Sequence, residues 1–339
     1  MTESGKPKLA MYWGASCGGC EISVINIHEH ILVVDEIFDI VFFPCIADFK
    51  YHHVESYPDK HIDVCLFNGA IRNSENEEMA HLLRKKSKVL VAYGSCAYEG
   101  CIPALSNLTT KDATFNKVYF DNPSIDNPDR ILPQTSTDMP EGTLTLPTFY
   151  HTVKSLDQVV DVDYYLPGCP PEPPQIWAVL QVIVGGLLEG KPLPPAGAIV
   201  GAGTTALCDE CEREIQEKSI DRFYRPYQLD PDPDQCLLEQ GIICMGIATR
   251  SGCGALCPTV GMGCRGCYGP PEGVIDQGAK MLSAIASVIN AGDETMEDDE
   301  LEHVIQEVID TIPDPAGTFY RFSMAHSILR RVKNGKGDS

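Results

Sequence analysis

Residues 8–33 read KLAMYWGASCGGCEISVINIHEHILV, and this stretch decides the fold. Lys8–Trp13 is apolar and aromatic, the make-up of a buried strand. Gly14-Ala15-Ser16-Cys17-Gly18-Gly19-Cys20 is a turn of small residues, and Glu21–Val33 has a helical period that leaves His28 and His30 on the surface. Strand, tight turn and helix together open an α/β sheet. The alternation continues along the first half. Ile37–Phe43 reads as a second strand and Ile62–Asn68 as a third. Ser74 caps a helix running to Lys86, with Glu77 at the capping-box position. Lys88–Ala92 is a fourth strand and Val162–Leu166 a fifth, followed by a helix from about Pro174 to Leu188. This order predicts a doubly wound, mostly parallel sheet.

Between Ile102 and Thr152 the pattern loosens. Asp121–Glu141 is dominated by proline, asparagine and aspartate, a long excursion for a compact domain. It reads as a partner-facing loop or as a neutral insertion. Gly190–Pro195 reads as a linker. Beyond it regular period is lost until Gly273–Asn290, which is helical. Glu294–Ile312 is acidic and helix-like, and the tail from Phe319 ends in Arg330, Arg331, Lys333 and Lys336. The chain has 339 residues, enough for two domains. Its formal charge of −22 argues against a nucleic-acid partner, because a phosphate backbone requires a basic face. No apolar run is long enough to span a bilayer, and Met1–Leu9 holds no signal sequence, so a cytoplasmic location is expected.

Cysteine usage carries the chemistry. Of the chain's 15 cysteines, twelve fall into three sets of four. The first is Cys17, Cys20, Cys96 and Cys169. Cys17 and Cys20 follow the first strand, Cys96 ends the turn Gly94-Ser95-Cys96 after the fourth, and Cys169 lies in Pro167-Gly168-Cys169-Pro170-Pro171 after the fifth. All sit at carboxyl ends of strands, where open parallel sheets bind ligands. The second set is Cys208, Cys211, Cys236 and Cys244, and the third is Cys253, Cys257, Cys264 and Cys267. Four thiolates hold one 4Fe–4S cluster. A reducing compartment disfavours disulfides. Other readings stay open at this point. Cys17–Cys20 also suits a dithiol redox pair, and the surrounding glycines suit a phosphate or flavin loop. The paired Cys-x-x-Cys motifs of the second half also suit zinc. Residues 208–267 have few apolar side chains, so metal cross-links would have to supply order there. Cys45 and Cys65 read as core residues. Cys101 is close enough to Cys96 to compete with it, but would lie inside the following helix, which favours Cys96.

Taken together, Cys17-x-x-Cys20 after the first strand, Gly94-Ser95-Cys96 and Gly168-Cys169-Pro170-Pro171 resemble the motifs of the small subunit of NiFe hydrogenases, from Leu9 to about Pro271. The resemblance implies a flavodoxin-like domain over residues 1–192 and an irregular, mostly helical iron–sulfur domain over 193–339. It implies that Cys17, Cys20, Cys96 and Cys169 hold the proximal cluster, nearest a nickel–iron centre carried by a large-subunit partner. By order of motifs, Cys253, Cys257, Cys264 and Cys267 are then medial, and Cys208, Cys211, Cys236 and Cys244 distal. Many respiratory relatives have histidine where Cys208 stands and proline at a medial ligand where Cys257 stands, so three 4Fe–4S clusters are implied here. This pattern is similar to the cytoplasmic methyl-viologen-reducing type of archaea and some bacteria. That type passes electrons from dihydrogen to an iron–sulfur or flavin acceptor subunit linked to heterodisulfide reductase. No catalytic residue is expected in this chain. Glu21 reads as a first-turn helix acid rather than a proton relay, and Trp13 and Trp177 as packing. Three alternatives differ in partner or metal: the small subunit of a deazaflavin-reducing hydrogenase, a multi-cluster electron carrier without hydrogenase activity, and a zinc-stabilised interaction protein.

Overall fold

The computed structural model describes residues 5–290 and 298–329. It divides into two compact units, one running to Val200 and resumed from Met324, the other Gly201–Ser323. The basic residues from Arg330 onward lie outside the described residues.

The first unit is built on six strands: β1 Lys8–Trp13, β2 Asp39–Phe42, β3 Ile62–Asn68, β4 Ser87–Tyr93, β5 Tyr164–Leu166 and β6 Ala198–Ile199. Their order across the sheet is β6-β5-β4-β3-β1-β2, and every pairing is parallel. Neighbouring residues of each central strand enter opposite cores. Leu9 and Met11, Val64 and Leu66, and Val91 and Tyr93 pack on one face with the helix Pro173–Glu189. Ala10 and Tyr12, Cys65 and Phe67, and Leu90 and Ala92 pack on the other with the helix Ser74–Lys86. Because the side-chain period of a strand is two, near-continuous apolar runs are what a sheet covered on both faces requires. The sequence expectation of a doubly wound sheet holds, and β6 is an addition. Residues beyond the proline-rich stretch return to the sheet edge, where Val200 N–H donates to Tyr165 C=O at 2.8 Å.

Several local expectations are corrected. The first helix is broken: Gly19–Ile25 and His30–Ile37 are separate, because His28 adopts a left-handed φ of 58°. His30 stacks on Trp177 with ring centroids 4.3 Å apart. The Ser74–Lys86 helix is capped by Asn73, whose side chain accepts from Asn76 N–H at 2.9 Å. The Asp121–Glu141 excursion runs into an exposed two-stranded hairpin, Ser136–Met139 with Gly142–Thr145. The chain from Met324 clips onto the first unit. Gln158 Nε2 donates to Ala325 C=O at 2.9 Å, and His326 Nε2 lies 2.7 Å from Ser155 Oγ and 3.2 Å from Asp157 Oδ1.

Cys65 is buried in the sheet, and burial pushes its thiol up to about 12. Cys45 lies in an exposed turn, which corrects its assignment to the core. In the folded protein iodoacetamide is therefore expected to label Cys45 at pH 8 and to leave Cys65 unmodified, as read by peptide mass spectrometry. The linkage is present in full below the ordinary thiol range and works against folding as pH rises from about 9 toward 12, because the unfolded thiol ionises first. Labelling of native Cys65 at pH 8 would contradict its placement.

In the second unit the stretch from Gly201 to Asp276 is held by little regular structure. It contains the short turns Leu207–Glu210, Leu238–Gln240 and Gly246–Ala248 and the four-residue helix Leu256–Thr259. The helices Gln277–Val288 and Asp298–Asp310 follow. Among the described residues no helix is long and apolar enough to cross a membrane.

Candidate metal centres

The carboxyl ends of β1, β3, β4 and β5 form one platform. Gly14 N–H donates to Asn68 C=O at 2.7 Å, joining the first turn to the end of β3. Gly94 and Ser95 N–H donate to the carbonyls of Leu166 and Gly168, both at 2.8 Å, joining the β4 and β5 turns. These bonds carry Cys17 and Cys20, Cys96 and Cys169 to the same end of the sheet. Cys20 and Cys96 are buried, Cys169 is half-buried and Cys17 is exposed. The backbone at Gly94 approaches the Cys20 sulfur so closely that a Cβ there would sit 2.4 Å from Sγ, with φ at +83°. Burial first, then Glu21 and the thiols of Cys169, Cys17 and Cys101, holds the Cys20 thiol far above its ordinary range. Cys101 does not lie inside the preceding helix. That helix ends at Gly100, and Cys101 starts a new turn with φ +46° and its Sγ 3.8 Å from Cys169 Sγ.

Glu21 is completely buried behind Cys20, and Asn68 Nδ2 donates to both its oxygens, at 2.8 and 2.9 Å. Burial raises its carboxyl above the ordinary range, and the Asn68 bond offsets part of that rise. Sequence reasoning did not find Asn68, because nothing in its own neighbourhood marks it. Only the β1–β3 pairing places it beside Glu21. Trp13 lies half-exposed at the same end, its indole N–H donating to Ser16 C=O at 3.2 Å.

In the second unit four of the eight sequence-predicted cysteines, Cys208, Cys211, Cys236 and Cys244, lie together, while of the other four Cys253 lies by Cys257 and Cys264 by Cys267. Burial, followed by Cys244, Cys236 and Cys211, pushes the Cys208 thiol up to about 12, so these four thiols share one neighbourhood. Cys264 is raised by burial and by Cys244 and Cys267, and Cys253 by burial with Glu210 and Cys257 among its neighbours. Backbone N–H groups point at the sulfurs. Leu238 and Glu239 face Cys236, Gly246 and Cys264 face Cys244, and Leu256 and Ala255 face Cys253. Donors aimed at a sulfur favour thiolate and are the usual second layer of a metal–thiolate site. The second and third sets touch: Cys264 N–H donates to Cys244 Sγ at 3.3 Å, and Met245 N–H returns a bond to Cys264 C=O at 3.0 Å. Arg213, which sequence reasoning passed over, ties the loops together by donating to the carbonyls of Pro258, Asp232 and Gln235. Among the described residues, no three cysteine, histidine or carboxylate side chains converge tightly enough to ligate one ion. A many-atom cluster has separate corners and does not ask for that convergence.

Residues 17–183 match the family model described as NADH ubiquinone oxidoreductase, 20 Kd subunit. A subunit of the F420-non-reducing hydrogenase of Methanothermobacter marburgensis is 37% identical over 336 residues, covering 98% of this chain and 99% of its own. The iron-sulfur subunit of the F420-non-reducing hydrogenase of Archaeoglobus profundus is 36% identical over 330 residues, covering 96% of this chain and 98% of its own. Among solved structures, an H2-activated NiFeSe hydrogenase chain from Dm. baculatum aligns with a TM-score of 0.50 at 18% identity, over 80% of this chain and 96% of that one, a likeness of fold.

Proposed function

The chain belongs to the NiFe hydrogenase small-subunit family, alongside the small subunits of F420-non-reducing hydrogenases, and from that membership we propose that it carries three 4Fe–4S clusters relaying electrons from dihydrogen. As a hydrogenase small subunit it works with a large-subunit partner. In the proposal that partner holds the nickel–iron centre, and the electrons leave to an iron–sulfur or flavin subunit linked to heterodisulfide reductase in the cytoplasm. Cys17, Cys20, Cys96 and Cys169 would hold the proximal cluster in residues 1–192. Cys253, Cys257, Cys264 and Cys267 would hold the medial cluster, and Cys208, Cys211, Cys236 and Cys244 the distal one, in residues 193–339. The observation that carries this reading is the meeting, at one end of a parallel sheet, of thiols from three separate strand ends.

The residues fit such clusters. The gap between Gly94 and Cys20 admits no Cβ, and N–H groups face the sulfurs of Cys236, Cys244 and Cys253. When bound, 4Fe–4S clusters take up and release single electrons at potentials set by hydrogen bonding and burial. The chain's own part is to deprotonate and hold. Burial keeps Cys20, Cys208 and Cys264 protonated while free, and the hydrogen bond shared with Cys101, then burial, does so for Cys169, so ligation would release protons. The N–H donors then hold the sulfurs negative, and Asn68 fixes the Glu21 carboxyl beside Cys20. The names of both relatives specify F420-non-reducing enzymes, and F420 is a deazaflavin, which supports this reading over the deazaflavin-reducing alternative.

The test is metal analysis of the complex that co-purifies with this chain under anaerobic conditions. The reading expects about one nickel and about twelve or more irons per chain. Iron without nickel would point to a carrier lacking a hydrogen-splitting partner, and zinc without visible absorption to an interaction protein. A narrower prediction concerns Cys257. Cys257→Pro removes one of four ligands and is expected to lower medial iron from about four to about three. The oxidised protein should then gain a three-iron electron-spin-resonance signal. An unchanged spectrum would remove Cys257 from the ligand set.

A further inference from the structure

The chain leaves the first unit at Gly201 and rejoins it at Met324. Met324, Ala325 and Ser327 are buried there, with His326 partly buried among them. The short helix Ser95–Glu99, which carries Cys96, is fixed at its start by the bonds of Gly94 and Ser95 N–H to the β5 turn. Its end is fixed by the returning segment. Gly100 N–H donates to Cys96 C=O at 3.1 Å, and a Cβ on Gly100 would sit 2.7 Å from the Ala325 methyl. Ala325 is held in turn by Gln158 Nε2, which donates to its carbonyl at 2.9 Å. Beside this contact a ring of side chains closes. His326 lies on Asp157, and Tyr165 O–H donates to Asp157 Oδ2 at 3.2 Å. Tyr98 packs on Tyr165 with centroids 5.1 Å apart and meets His326 edge-on at 6.3 Å. Tyr98 belongs to the Cys96 helix, so the ring grips that helix from the side.

The hydrogen bonds define what His326 does. Ser155 Oγ has one hydrogen, and it goes to Asp157 Oδ1 at 2.5 Å. Toward His326 Nε2, 2.7 Å away, Ser155 Oγ therefore accepts, and Nε2 carries a proton. A protonated Nε2 is no base for Ser155, and Ser155 is fully buried, so the Ser155, His326 and Asp157 group is not a nucleophilic triad. It is a clasp, in which one N–H from the end of the chain is received by Ser155 Oγ with Asp157 Oδ1 at 3.2 Å. We propose that His326 is a positioning residue for the proposed proximal site, holding the Cys96 helix in place through Ala325 and Tyr98. The inference rests on the iron–sulfur reading and adds that cluster retention at the sheet depends on a segment distant in sequence from all four cysteines.

The experiment incubates the anaerobically purified complex with an iron chelator, the chain being unaltered, His326→Ala or His326→Gln. The rate of iron release and the low-temperature electron-spin-resonance spectrum of the reduced protein are read for each. His326→Ala is expected to release about four irons per chain roughly tenfold faster than the unaltered chain, the weight of a lost hydrogen bond to a charged group, and to show a changed proximal signal. The other irons and their signals should not change, an outcome that a general loss of stability would not give. Glutamine offers an amide N–H in place of Nε2–H, so His326→Gln is expected to restore the slow rate. The proposal fails if His326→Ala releases iron at the unaltered rate, if all the irons leave faster together, or if His326→Gln behaves as His326→Ala. Cys17→Ala is the separate control on the underlying reading: full iron in that variant would mean that no cluster sits on this platform. Should His326→Ala not fold, as judged by the circular dichroism of the sheet, Gln158→Glu replaces it. Glutamate keeps the acceptor that takes Ser155 N–H and loses the donor to Ala325. Faster release of about four irons with the sheet intact then supports the proposal, and the unaltered rate overturns it.

Discussion

Gly94→Ala is expected to empty the proposed proximal site without replacing any cysteine. Gly94 has φ 83° and ψ 161°, a region essentially restricted to glycine, so a methyl group there costs about 1–3 kcal/mol in backbone strain alone. That cost is small beside the overlap. The new carbon would sit 2.4 Å from Cys20 Sγ, and both neighbouring turns are pinned by the bonds from Gly94 and Ser95 N–H to the β5 turn. Either Cys20 leaves its position or the β4 and β5 turns separate, and each outcome takes a ligand from the set. Iron should fall by about four per chain and hydrogen-dependent dye reduction should drop to background. Gly142→Ala is the matched control. Gly142 also has a positive φ, of 139°, but nothing lies within 4 Å of its Cβ position, and the hairpin that carries it is exposed. Full iron in Gly94→Ala would mean that the thiol platform is not where the proximal cluster sits.

The second large effect concerns the unit Gly201–Ser323. Removing iron with ferricyanide and a chelator is expected to unfold residues 201–276 while the six-stranded sheet survives. The two cores run along both faces of the sheet, and of the proposed ligands only Cys20 enters them. By contrast, 201–276 is joined by short turns, isolated bridges such as Ala206 with Arg250 and Tyr224 with Ile242, and the cysteine loops themselves. Structural metal–thiolate sites contribute on the order of 10 kcal/mol to small folds, enough to exceed the whole stability of such a segment. Hydrogen exchange before and after iron removal would read this directly. Protection should vanish at Cys236, Met245 and Cys264 and persist at Val64, Leu66 and Val91. Equal protection in both states would show that Arg213 and the local apolar contacts hold the segment unaided.

The alternation of strands and helices is legible because each central strand is an apolar run of fixed length and each turn after it is rich in small residues. β1 and β3 coincide with their sequence boundaries for that reason. The break in the first helix is not legible, because apolar periodicity runs through His28 and does not report a left-handed residue. Cys45 looks like core because it follows the apolar run Ile40–Phe43, yet the chain leaves the sheet at Phe42. β6 escapes a reading of the sequence because two residues after a proline-rich stretch carry too little pattern.

What the sequence determined by itself was the covalent supply: twelve cysteines in motifs at the ends of predicted strands and in paired short spacings, and hence the family and the metal chemistry proposed. Those spacings are local, and short-range geometry follows from them. What the tertiary structure alone decided is which distant groups face one another. Asn68 meets Glu21 only because β3 pairs with β1. Cys101 joins Cys96 and Cys169 only because β4 lies beside β5 and the chain reverses at Gly100. Cys264 reaches Cys244 through its own backbone N–H. Register and long-range closure depend on the sum of all contacts in the fold, so no single segment of the chain encodes them.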